Sequence, residues 1–211
     1  MDDQSRSAWS EALIVLSNCL RQPDSGMRDA IVSGRGRETI VETLERVGVD
    51  VPTPPSVTEC DLTEAYEALF GAFVTPFAPP AASPYKEWYE GREGLMGGPP
   101  ASAMERRYDA LDVDIPPSYP PDHVALELEY ASLLLEAGEL DEAAAFVEEE
   151  LDWIDAFAEL VDEASADAPF HRWCVDVLTR TVADLRGELD VPAPSQERID
   201  RMAERGRQNA E

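Results

Sequence analysis

The sequence predicts an all-α fold, a single-domain helical bundle interrupted by one long Pro/Gly-rich loop. Two observations carry this. Apolar residues recur at spacings of three and four through most of the 211 residues, and no stretch alternates apolar with polar as a half-buried strand would. Capping residues, prolines and glycines punctuate the chain where those periodic stretches end.

The first helix is expected over about residues 5–21, with Trp9, Leu13, Leu16 and Leu20 on one face, stopped by Arg21-Gln22-Pro23-Asp24-Ser25-Gly26. A short helix near 27–32 leads into Ser33-Gly34-Arg35-Gly36-Arg37, read as a flexible connector. Residues 38–47 place Ile40, Val41, Leu44 and Val47 together, with Gly48 as C-terminal cap. Val51 to Ser56, with three prolines, is an extended connector. Asp61-Leu62-Thr63-Glu64 resembles a capping box and opens a helix with the stripe Leu62, Tyr66, Leu69, Phe70 and Phe73.

From Val74 to Pro100 the chain is a long loop rich in Pro, Gly and aromatics, with a helical turn or two at 84–90. A helix follows from Ser102 to about Leu111, then the proline-rich turn 116–121. Residues 122–137 are apolar over more than half their circumference, which places that helix in the middle of a bundle. Glu139 to Ala164 is read as one further helix, and Asp167 with Pro169 opens another that ends near Gly187. The domain organisation expected is 1–56 as N-terminal helices and linker packing on the bundle, 57–190 as the helical core, and 191–211 as a polar, flexible tail.

Seventeen Lys+Arg stand against 44 Asp+Glu, a formal charge of −27. Such a field repels phosphate backbones and anionic headgroups and excludes a standalone nucleic-acid-binding or lipid-binding protein. Lys86 is the single lysine against 16 arginines, the pattern of proteins from a salt-saturated, halophilic cytoplasm. There the Debye length is about 3 Å or less, so acidity partly reflects solvent adaptation. Cys19, Cys60 and Cys174 are odd in number and far apart, giving neither a disulfide framework nor metal-ligand spacing. The acidic N-terminus and the lack of a long apolar run predict no signal peptide, no membrane insertion and a cytoplasmic location.

Asp122-His123 with Glu127 is the one cluster that looks like a site. His123 and Glu127 share a helical face, and Asp122 stands at the helix start, where a carboxylate caps free N–H groups. Four readings compete there. As catalysis, an Asp–His pair lacks a recognisable Ser or Cys nucleophile, and as a metal site it lacks a third strong ligand, His171 being far along the chain. A structural cap, or a ligand-contacting surface beside the loop, needs neither. Gly34-Arg35-Gly36-Arg37 has no preceding strand and is not a phosphate loop.

The order of landmarks is distinctive: Tyr66-x-x-Leu69-Phe70, Ser83-Pro84-Tyr85, Tyr89-x-Gly91, Tyr108, Pro120-Pro121-Asp122-His123-x-x-x-Glu127-Leu128-Glu129, Trp153-x-x-x-Phe157 and Phe170. Over about residues 60–186 this resembles the TorD/DmsD family of cytoplasmic maturation chaperones for molybdenum-containing oxidoreductases. The chain departs from the family at Val74, where a Trp is common, at Ala78, where a loop Gly is, and at the element itself, where a glutamate is replaced by proline. The resemblance implies a non-enzyme without catalytic residues, resident metal or cofactor. Its implied task is to bind the twin-arginine signal peptide and apo form of a molybdopterin oxidoreductase of dimethyl sulfoxide/trimethylamine-oxide reductase type, and to assist cofactor insertion before export. The peptide-binding residues it implies are Tyr66, Leu69, Phe70, Pro80, Pro120, Asp122 and His123, to which the residue chemistry adds Glu127. Asp122 and Glu127 pair with arginines in this reading, while Leu69, Phe70, Phe77 and the loop line an apolar groove. Alternatives are a nitrate reductase or other respiratory client, or an acidic helical interaction module with no redox client. A monomer and a domain-swapped dimer both fit.

Overall fold

The computed structural model describes residues 1–57, 59–71, 78–88 and 96–210. Among these, ten helices form the fold, with no strand beyond one isolated bridge between Ala81 and His123. They are α1 (Asp3–Cys19), α2 (Ser25–Val32), α3 (Arg35–Glu45), α4 (Glu59–Phe70) and α5 (Gly98–Ala110), then α6 (Val124–Ala137), α7 (Leu140–Glu149), α8 (Ile154–Glu163), α9 (Pro169–Glu188) and α10 (Gln196–Ala210). The all-α expectation holds. No helix is long and apolar enough to cross a membrane among the described residues.

The centre is α6, which buries every residue from Val124 to Leu128 and then Ala131, Ser132 and Leu135, while Leu133, Glu136 and Ala137 are exposed on its outer side. It lies along α1, and Ser10 Oγ meets Ser132 Oγ at 3.1 Å while Ser17 Oγ donates to the Ala125 carbonyl at 2.7 Å. Small hydroxyl residues on both helices let the two backbones approach closely and satisfy each other's polar groups. α1 is thereby built into the core; Trp9, Leu13, Leu16 and the following Leu20 are all buried.

Several boundaries differ from the sequence reading. The Gly34-Arg35-Gly36-Arg37 segment is not a flexible connector: α3 starts at Arg35, directly after Gly34 in the left-handed region (φ 89°). Gly36 lies where a Cβ would stand 3.0 Å from Ile31 Cδ1 and 3.1 Å from the Ala30 carbonyl carbon, so its missing side chain lets α2 and α3 touch. α4 begins before Asp61, which is therefore inside the helix. α5 starts at Gly98, earlier than Ser102, because Pro99 and Pro100 occupy its first turn, where no N–H is needed. Gly48 does adopt the left-handed cap conformation (φ 88°).

The single helix expected over 139–164 is two helices. Residues 150–153 turn instead, because Glu150 and Asp152 are drawn to Lys86 and Trp153 turns inward to Glu127. The largest departure is at the C-terminus. Residues 196–210 form a regular helix, α10, packed on α8, rather than a flexible tail. Its sequence hides this because it is polar on three sides and commits only Met202, Ala203 and Gly206 to burial, with Ile199 partly buried.

Candidate functional site

The Asp122–His123–Glu127 element sits at the N-terminus of α6, where the loop segment 78–88 crosses it. The crossing is held by backbone hydrogen bonds: Ala82 N–H donates to the Asp122 carbonyl at 3.0 Å and Val124 N–H to the Pro80 carbonyl at 2.9 Å. The N-cap is His123, not Asp122, since His123 Nδ1 accepts from Ala125 N–H at 3.1 Å. Asp122 instead turns to the loop. Its Oδ2 accepts from Ser83 N–H at 2.6 Å and lies against the Ser83 hydroxyl. That hydroxyl also meets the Gly97 carbonyl at 2.6 Å and accepts from Gly97 N–H at 3.1 Å. One hydroxyl proton serves two acceptors here, so a proton on Asp122 completes the set, in line with the burial that pushes the Asp122 carboxyl above its ordinary range.

Glu127, one turn along α6, is fully buried. Its Oε2 accepts from Trp153 Nε1–H at 2.9 Å, and Oε1 has no partner among the described residues. Burial pushes its carboxyl well above the usual range; Lys86 opposes this, and the nearby Asp122 and Glu150 add to it. Trp153 stacks on Tyr85 at 5.0 Å between centroids, and the Tyr85 hydroxyl donates to the Pro79 carbonyl at 3.0 Å. Lys86 completes the brace from the other side. Its Nζ reaches Glu150 at 2.9 Å and Asp152 at 3.3 Å, and these carboxylates outweigh the burial that would otherwise lower its pKa. Glu150 is held below its ordinary value because Lys86 and Arg107 outweigh the burial that opposes its charge.

Tyr66, Leu69 and Phe70 lie on the core face of α4. Phe70 packs against Phe157 (5.9 Å) and His171 (5.9 Å), and Tyr66 against Phe70 (5.1 Å) and His171 (5.5 Å). Both ring nitrogens of His171 lack a partner among the described residues, and burial lowers its pKa to about 4. His123 is likewise depressed to about 3 by burial, with Arg21 adding to the effect, and Tyr119 rests on its ring at 4.7 Å. Both imidazoles are neutral at neutral pH.

The structure thus brings the sequence-predicted residues into one connected layer, but not onto an open surface. Pro80, Asp122, His123 and Glu127 are buried, Pro120 is half-buried, and Tyr66, Leu69 and Phe70 are core. The apolar groove expected at Leu69 and Phe70 is closed in this conformation because His171 and Phe157 fill it. Phe73, Val74, Phe77, Tyr89 and Gly91 lie outside the described residues. Four contributors were absent from the predicted site: Ser83, Lys86, Trp153 and His171. Lys86 carried a signal, as a lone lysine among 16 arginines, and Ser83 and Trp153 stand among the sequence landmarks; His171 becomes a partner only through the fold. Among the described residues, no three metal-ligating side chains converge.

This architecture defines an all-α bundle in which a proline-rich loop is braced on the N-terminus of a central helix. Residues 35–166 match the family described as nitrate reductase delta subunit. The chain belongs to that family, the TorD-like chaperones that mature molybdoenzymes. No curated protein matches the chain.

Proposed function

We propose that the protein binds the twin-arginine signal peptide and apo form of a respiratory molybdopterin oxidoreductase, holds back its export, and assists cofactor insertion. The observation that carries this reading is the brace itself. Residues far apart in sequence, from Pro80 to Trp153, meet where the loop joins α6, and the segments that carry the TorD/DmsD resemblance contribute most of them. A loop held at defined points on a rigid helix suits a protein that must present one chain segment for another to dock. The excess of carboxylates favours a basic segment, and arginine in particular, whose planar fork pairs bidentately with a carboxylate.

The client type has two readings. The landmark order favours a dimethyl sulfoxide or trimethylamine-oxide reductase, whereas the family description favours a nitrate reductase. Fluorescence anisotropy tests the peptide function. A labelled synthetic leader with two consecutive arginines before an apolar stretch binds, and its twin-lysine counterpart binds at least about tenfold more weakly. Equal affinity for the two peptides refutes arginine recognition. Co-purification of one apo-oxidoreductase that still carries its leader then distinguishes the client types.

A further inference from the structure

α10 is attached to the bundle in an unusual way for this chain. It carries Arg198, Arg201, Arg205 and Arg207, four of the sixteen arginines in fifteen residues. Two of them reach carboxylates on the body. Arg207 forks onto Glu163, Nη2 to Oε1 at 2.7 Å and Nε to Oε2 at 2.9 Å, and touches Glu159 at 3.3 Å. Arg198 pairs with Asp152, whose side chain is only 3% exposed and which also holds Lys86. The Asn209 amide donates to the Pro84 carbonyl at 2.9 Å, so α10 also lies on the loop.

The apolar seam beneath these pairs is thin. It consists of Met202, Ala203 and the bare Gly206, at which a Cβ would stand 2.7 Å from Tyr85 Cε1 and 2.9 Å from Leu160 Cδ2. A cleft of about 320 Å³ remains open at its edge, between Lys86, Asp152 and the side chains of Arg198, Arg201 and Met202. The Arg207 pairs with Glu159 and Glu163 are exposed on both sides, contribute little each and fall with salt, so with so thin a seam beneath it the C-terminal half of α10 opens at low cost.

We infer that the face of α8 and the loop beneath α10, with Asp152, Glu159 and Glu163 as its arginine receptors, is the surface that takes the arginine-bearing segment of a client, and that α10 occupies it as an internal stand-in. This rests on the peptide-binding reading above. It accounts for where an arginine peptide binds when Asp122 and Glu127 have no open surface. The receptors here lie at the rim of the brace, next to Tyr85 and Lys86, and are reached by displacing one terminal helix rather than opening the core. The intrachain pairs already show the geometry an arginine needs, a bidentate fork on Glu163 whose carboxyl the Arg207 hydrogen bond holds below its ordinary range.

The test uses the full chain and the labelled twin-arginine peptide. Gly206→Leu drives a side chain into Tyr85 and Leu160 and lifts α10 without altering a receptor carboxylate. Arg207→Ala removes the fork with no added bulk. Because α10 competes for the surface, each variant binds the peptide more tightly than the unmodified protein, by about tenfold where the closed form dominates. Hydrogen exchange on the unmodified protein provides a readout free of substitution: bound peptide accelerates exchange across residues 196–210. Unchanged affinity in both variants, with α10 equally protected when peptide is bound, overturns the inference and leaves peptide binding standing at another face. A peptide that binds none of the three proteins overturns the peptide-binding reading and the inference together.

Discussion

Replacing Glu127 by glutamine isolates the energetic role of the buried carboxyl at the centre of the brace. The side chain is fully buried, has one hydrogen-bond donor in Trp153 and an unpartnered Oε1, so the neutral acid is the form the fold accommodates. Its folded-state pKa stands well above the ordinary 4.5. The unfolded chain therefore releases the proton near pH 4.5 while the folded chain keeps it, and between those two values the folded state binds more protons. Stability contributed by this group is complete below pH 4.5 and declines as pH rises toward the folded-state pKa. The steepest decline one group can produce is about 1.4 kcal/mol per pH unit, so from pH 4.5 to pH 7 it removes up to about 3 kcal/mol.

Glu127→Gln keeps the shape and the acceptor for Trp153, and places an amide N–H₂ where the protonated oxygen was. It carries no titration. Urea denaturation of both proteins from pH 4.5 to pH 8 at fixed salt is the assay. The stability difference, variant minus unmodified, is smallest at pH 4.5 and grows with pH, at no more than about 1.4 kcal/mol per pH unit. A difference that stays flat across the range refutes the protonated-carboxyl account. A variant that is less stable at every pH shows instead that the ionised group is paired, with Lys86 as its partner.

His171→Phe replaces a partnerless imidazole by an apolar ring. Because the folded-state pKa of His171 is depressed to about 4, the unmodified protein loses stability as pH falls from 6.5 toward 4, and the variant loses less over that interval, read by thermal unfolding at each pH. An identical acid limb in both proteins contradicts a buried neutral His171. Ser83→Ala removes the hydroxyl that Asp122 lies against and frees the loop from Gly97, which costs about 1–3 kcal/mol in urea denaturation and raises hydrogen exchange in residues 78–88; a loss below about 0.5 kcal/mol contradicts the brace.

Much of the fold was legible because helices of this chain declare themselves locally. The three- and four-residue spacing of Trp9, Leu13, Leu16 and Leu20 already defines the buried face of α1, and the apolar circumference of 122–137 places α6 at the centre before any contact is known. Where the reading failed, a distant residue intervened. One long helix became α7 and α8 because Lys86, sixty residues upstream, captures Glu150 and Asp152. Asp122 lost the cap to His123 because Ser83 claims its carboxylate. The tail became α10 because Arg207 finds Glu159 and Glu163 and Arg198 finds Asp152, carboxylates indistinguishable in sequence from the many solvated ones.

The candidate site divides along the same line. Asp122, His123 and Glu127 stand out as residue types at helical spacing, which periodicity alone reveals. Their burial, their protonation and the residues that brace them are properties of the space between elements. A sequence fixes which groups share a helical face, because the helix repeat is local. It leaves open which face meets which neighbour, and desolvation, ion pairing and the packing of α10 on α8 arise only at that meeting.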